Sequence, residues 1–308
     1  MRYAITISFS NENAPESYTY NLTEKVLLFT PTYFIGQNST KKRKRKYNDD
    51  IFADCLSVEI ASEKQMYFDV TDDIDGDLGD NTLLLQNGKE DVCRNYIHID
   101  ITLTDELFNT HMTFIESVIV DCAERGFLIS ACMRASNEPE FVNANEHTPG
   151  YTRNCAQGGF GAFWKTWIGK WGFPFAPPYI VKTCSSILHR EIHDNYIYLH
   201  FFEDAKDFNN PENNASRWDF RKKTGILYCV ENQSYMQDGI QIPDWLPHLK
   251  SVELQLNEDS RIVTRYLDAN NEVVTPDKAI KKYVDIFSHE GDLLNHVEEM
   301  ISISTKKG

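Results

Sequence analysis

The chain has 308 residues, 41% of them hydrophobic and 25% charged, with a formal net charge of −15 at pH 7. A chain of this length and apolar content buries a large core, in two domains or one elaborate one, and it contains no apolar run near the roughly 20 residues of a membrane span. The acid excess repels nucleic acid and anionic lipid and favours basic partners. It is uneven: residues 1–150 carry 13 basic and 25 acidic side chains, residues 151–308 carry 18 and 21.

In chain order, YAITISFS (3–10) alternates Tyr3, Ile5, Ile7 and Phe9 on one face, as a half-buried strand does. The strand-like start has no continuous apolar core of a signal peptide, which points to the cytoplasm. YTYNL (18–22) and KVLLFT (25–30) read as further strands, and KKRKRK (41–46) as part of a solvated loop. LSVEIA (56–61), KQMYFDV (64–70) and TLLLQ (82–86) continue the strand series. YIHIDITLT then sets Ile97, Ile99, Ile101 and Leu103 against His98, Asp100 and Thr102. Thr104 opens a helix whose stripe is Leu107, Phe108, Ile115, Val118, Ile119 and Cys122, Gly126 closes it, and FLISACMRA returns as a strand.

The polar stretch 136–150 marks a boundary between an acidic half, 1–150, and a second half, 151–308, whose connecting segment 158–179 is rich in Trp and Pro. SILHREI (186–192) and YIYLHFF (196–202) form a strand pair, EDAKDFNNPENNAS a polar loop, and TGILYCV (224–230) a buried strand. SVELQLN and RIVTRYLD make another pair. Thr275-Pro276-Asp277 starts a helix faced by Ala279, Ile280, Tyr283, Val284 and Phe287, and DLLNHVEEMISI continues as a second. These elements define an α+β fold of largely antiparallel sheets with helices on one face, in two similar halves.

Sites are sparse. Trp164, Trp167 and Trp171 recur at helical spacing, either docked into the core or presented as an aromatic strip to a partner. HREIH places His189 and His193 on one side of a strand, about 13 Å apart by strand rise, too far to share a metal. DVTDDIDGDLGDN (69–81) holds six acids and resembles a calcium loop until position 82, where Thr stands in place of the closing Glu. Its Asp72, Asp73, Asp75, Asp77 and Asp80 read as a contact surface for a basic partner. The basic run at 41–46 suits phosphate, but the acidity of the rest opposes nucleic acid as the main ligand. The seven cysteines, odd in number and without a CxxC pair, suit reduced thiols. Cys155, beside a glycine-rich segment, is the one candidate nucleophile. No cofactor or metal is implied.

The stretch GFGAFWKTWIGKWGFPFAPPYI, followed by ILHREI and YIYLHFFED, resembles immunity proteins of bacterial polymorphic-toxin and type VI secretion systems. In those, a Trp/Gly-rich segment leads into a Pro-Pro strap and an antiparallel strand pair. The resemblance spans about 60 residues. It implies a non-catalytic cytoplasmic protein that binds and occludes a toxic effector, and it carries over no defined site residues. The alternatives are an enzyme built on Cys155 and a structural component of a secretion or phage assembly.

Overall fold

A computed structural model of the chain describes residues 1–10, 14–36, 45–61, 66–72, 80–89, 95–138, 162–225 and 252–301. Ten strands form one sheet. In chain order they are β1 (Arg2–Ser10), β2 (Tyr33–Gly36), β3 (Arg45–Lys46), β4 (Tyr67–Thr71), β5 (Thr82–Lys89), β6 (Asn95–Thr104), β7 (Leu128–Ala135), β8 (Lys165–Gly169), β9 (His189–Ile192) and β10 (Tyr196–His200). Their spatial order is β3-β2-β4-β5-β6-β1-β7-β8-β10-β9. Four more, β11 (Val252–Leu256), β12 (Arg261–Leu267), β13 (Lys281–Phe287) and β14 (Leu293–Met300), make a second sheet in sequential order. The fold is α+β. The large sheet crosses residue 150, because β8, β10 and β9 extend it from β7.

The centre follows the alternation of the sequence. β1 pairs antiparallel with both β6 and β7. Those two therefore run parallel to each other, and α3 (Asp105–Glu124) connects them across β1. Register sets Ile5 beside Ile101 and Ile7 beside Ile99, all fully buried. α3 covers this face with Phe108, Ile115 and Ile119, and the Phe108 ring stacks on Tyr3 at 4.1 Å between centroids. Thr104 is the N-cap residue by backbone, but its side chain makes no capping bond.

Two stretches expected as strands are helices. In α1 (Glu16–Val26), Thr19, Leu22, Thr23 and Val26 are buried. In α2 (Asp49–Ile60), the buried residues are Phe52, Cys55, Leu56 and Glu59. Both sets fall at i, i+3, i+4, i+7, a helical stripe that five-residue windows hide. The Asn48 side chain caps α2 by accepting from the Ile51 amide at 3.1 Å. The polar loop at 203–216 likewise contains the start of a helix, α5 (Pro211–Thr224), which follows the short α4 (Pro178–Val181). Asn210 caps α5, Pro211 stands at its first position, and Gly225 closes it at φ 69°.

The reverse correction applies to the tryptophans and to the C-terminal region. Trp167 lies in strand β8, and Trp171 in the 3-10 turn Lys170–Gly172 that follows. The stretches expected as helices after Thr275 are β13 and β14. In β13 a helix, favoured by the spacing of Ile280, Tyr283, Val284 and Phe287, competes with a strand, although KKYVDIF sets its apolar residues in adjacent pairs rather than in alternation. Pairing on both sides, with β12 and β14, decides between them. The strand expected at 224–230 lies outside the described residues beyond Gly225.

Candidate protein-interaction site on the second sheet

The Trp/Pro segment is an internal bracket for the second sheet. Trp164 and Trp167 are 7% and 2% exposed, and Trp171 is half-buried against the same core. Trp167 packs on Tyr198 at 4.8 Å. From the second sheet, Arg261 donates to the Trp171 carbonyl at 3.0 Å and lies over the Trp171 ring at 4.8 Å. Arg265 donates to the Pro174 carbonyl, to the Phe175 carbonyl at 3.3 Å, and to the Thr224 carbonyl at the end of α5 at 2.9 Å. Pro174 lies in the turns that follow the 3-10 helix and Pro178 opens α4, and the turn carbonyls left free of the ladder are used by these buried guanidinium groups.

Asp285 completes the bracket. Its Oδ2 accepts from Arg265 at 3.0 Å and from the Tyr179 hydroxyl at 2.8 Å, and its Oδ1 faces His296 Nδ1 at 2.6 Å. Burial raises the Tyr179 hydroxyl pKa, with the Asp285 carboxylate adding to the effect against an opposing Arg265. Tyr179 therefore remains a neutral donor. Arg265 and Asp285 are excluded from solvent, so the inner face of the second sheet is rigidly tied.

Alternation then dictates the outer face. With Arg261, Val263, Arg265, Asp285 and Phe287 turned inward, Ile262, Thr264 and Tyr266 of β12 turn outward with Lys282, Val284 and Ile286 of β13. Register sets Ile262 beside Ile286, and Val284 beside Val297 of β14. The outward residues of β12 and β13 are half-buried, and all eight residues of β14 are exposed. The result is an apolar row edged by the Lys282–Glu299 ion pair at 2.8 Å. Reading β13 and β14 as helices hid this surface from the sequence.

Among the acids expected to contact a partner, Asp72 accepts from the Asn81 amide at 2.9 Å and from its side chain at 2.5 Å. Asp80 forms an exposed pair with Arg2 at 3.0 Å. Asp73, Asp75 and Asp77 lie outside the described residues, as do Cys155 and Lys41 to Lys44. His189 and His193 sit at and beyond β9, and both contact Glu191, at 2.9 and 3.2 Å. Among the described residues, no three His, Cys, Asp or Glu side chains group as a metal site, and no helix is long and apolar enough to cross a membrane.

A second polar group occupies the large sheet's other face. Ser8 Oγ lies 2.7 Å from His98 Nδ1, and His98 Nε2 lies 2.9 Å from Asp100. Thr6 donates to Asp100 at 2.6 Å, and Arg134 donates to Thr6 at 2.9 Å. Burial alone would raise the Asp100 pKa. The bonds from His98 and Thr6, with Arg134 nearby, outweigh it and hold the carboxyl below its usual value. The connectivity is that of a proton relay, but Ser8 is fully buried and its hydroxyl offers no approach to a substrate atom. The group satisfies polar residues on the sheet face.

No family model matches the chain, and no curated protein does. Among solved structures, the chain is similar to the Pseudomonas aeruginosa T6SS protein PA0821, at 12% identity and a TM-score of 0.45, over 76% of this chain and 86% of that one.

Proposed function

We propose that this protein is an immunity protein that binds and occludes a toxic protein effector in the cytoplasm. The observation that carries the binding role is the solvent-facing apolar row Ile262, Ile286, Val284 and Val297 on a sheet anchored from behind by buried arginines. Contiguous apolar surface of this kind, edged by charge, is what protein interfaces use. The net charge of −15 selects a basic partner. The acidic stretch from Asp72 to Asp80 adds long-range attraction, and the toxic-effector class follows from the immunity-protein resemblance of the Trp/Pro segment.

Co-expression tests this reading. The wild-type chain should restore growth of cells producing the toxin domain encoded beside it. The pair V284K and I286K should abolish rescue without moving the melting temperature. Continued killing in the presence of the folded wild-type chain would exclude the immunity role. Association should also slow as salt rises, and a salt-independent on-rate would remove the steering contribution.

A further inference from the structure

Among the described residues, β14 is an edge strand that lacks the usual protection. The other edge strands are shorter: β3 has two residues, β9 four and β11 five, against eight in β14. β9 also carries His189, Arg190 and Glu191. β14 has no Lys or Pro, and it exposes Leu293, Leu294, Val297 and Met300. Its acids do not guard it either. Glu298 is paired with Lys281 at 3.1 Å and Glu299 with Lys282 at 2.8 Å, so both are partly neutralised by the neighbouring strand. A long edge strand with four exposed apolar side chains, whose two acids are engaged by the neighbouring strand, invites another strand.

The sequence of β14 fits itself. A two-fold axis normal to the sheet keeps each outer face outward, so only residues of the same face meet. With the axis at Val297, Val297 meets its own copy and His296 meets Glu298. Asn295 meets Glu299, and Leu294 meets Met300. Each pair is apolar with apolar, or a carboxylate with a donor. His296 engages Asp285 through Nδ1, which leaves Nε2 directed away from that bond. Neighbouring registers fail. An axis at His296 sets Leu294 against Glu298 and Leu293 against Glu299, and an axis at Glu298 sets that acid against itself.

We infer that two copies of this chain pair antiparallel through β14 about a two-fold axis at Val297, joining their second sheets into one continuous eight-stranded sheet. The outer apolar rows of the two copies then lie on one face, so the dimer presents the effector-binding surface twice. The pairing does not depend on the identity of any effector, and salt separates the two. Each copy carries −15, so added salt relieves repulsion and strengthens the dimer, whereas it weakens capture of a basic partner.

Light scattering on the full chain should give a doubled mass that persists or grows with salt. V297K places two ammonium groups opposite each other and should return the mass to one chain with an unchanged melting temperature. Under mild oxidation V297C should form a covalent dimer above the wild-type background, and N295C, which faces Glu299, should not. The thiol pair keeps the inference falsifiable even where the Lys variant folds poorly. A single-chain mass at every concentration overturns the proposal and leaves the edge to a different chain. N295C cross-linking as well as V297C overturns the register.

Discussion

Arg265 donates to Asp285 at 3.0 Å with both side chains fully excluded from water, and this one pair holds the Trp/Pro segment, the end of α5 and β14 together. A buried pair gives weak net stability as a unit, but losing one member leaves the other charge stranded. D285A would remove the anion from Arg265 and the acceptor from Tyr179 and His296. We expect a loss of about 3–5 kcal/mol in urea denaturation. D285N, which keeps the shape and one acceptor oxygen, should cost less. A loss below about 1 kcal/mol for D285A would show that the bracket is held by the backbone contacts of Arg265 alone.

Gly291 turns the chain between β13 and β14 at φ 103°, and a Cβ there would overlap the Lys170 carbonyl. Gly126, after α3, has φ 73° but open space around it. The two positions separate conformational strain from crowding. G126A should cost about 1–2 kcal/mol, the penalty of a left-handed L-residue. G291A should cost clearly more, because the β13–β14 turn must also move off the turn at Lys170. Equal losses in thermal denaturation would mean that the hairpin is not seated against that turn.

How legible the fold was depended on which period a segment carried and how far it extended. The β6–α3–β7 unit was readable because Ile97 to Leu103 alternate over many residues and α3 has a cap, a stripe and a closing glycine. α1 and α2 were not, because in each the stripe rests on four buried positions, Thr19 to Val26 and Phe52 to Glu59, that include polar residues, and short windows mimic alternation. β13 carries a helical spacing and no alternation, and only its pairing with β12 and β14 makes it a strand. Three tryptophans at helical spacing suggested a helix, but Trp167 is fixed in a strand by its position between Ala131 and Tyr198. The apolar row on the second sheet is assembled by the register of three strands, so no pattern within any one of them announced it. The start of α5 is legible in Asn210-Pro211, a capping residue followed by a first-position proline.

The described thiols should be inert in the folded protein. Cys55, Cys122, Cys132 and Cys184 are free and buried. Burial pushes Cys122 up to about 12 and Cys184 up to about 12, and it also raises Cys132. A thiol reagent at pH 8 needs access and the thiolate: burial denies access to all four, and Cys122, Cys132 and Cys184 also resist ionisation. All four should label only on unfolding, and peptide mapping identifies them directly. Rapid modification of Cys122 in the native chain would contradict the packing of α3 on Tyr18 and the central sheet.

Glu138 should make stability fall as pH rises toward neutrality. It is fully buried and bonded to Arg217, with Arg134 and Arg221 acting on it electrostatically. Burial nonetheless dominates and raises its pKa from 4.5 to about 7, while burial also lowers the Arg217 pKa. Between about pH 4.5 and 7 the folded carboxyl keeps its proton and the unfolded one loses it. The folded state then binds more protons, so the unfolding free energy declines across that window and levels above it. His200 works the other way: burial, with Lys165 nearby, lowers its pKa, so its contribution is lost as pH falls below the usual imidazole range. The comparison must therefore be between wild type and E138Q. The amide still accepts from Arg217 but does not titrate, so the wild-type curve should drop relative to the variant from pH 4.5 to 7 and run parallel above. Parallel curves throughout would mean that Glu138 is ionised in the folded state across the whole range, with its pairing to Arg217 outweighing its burial.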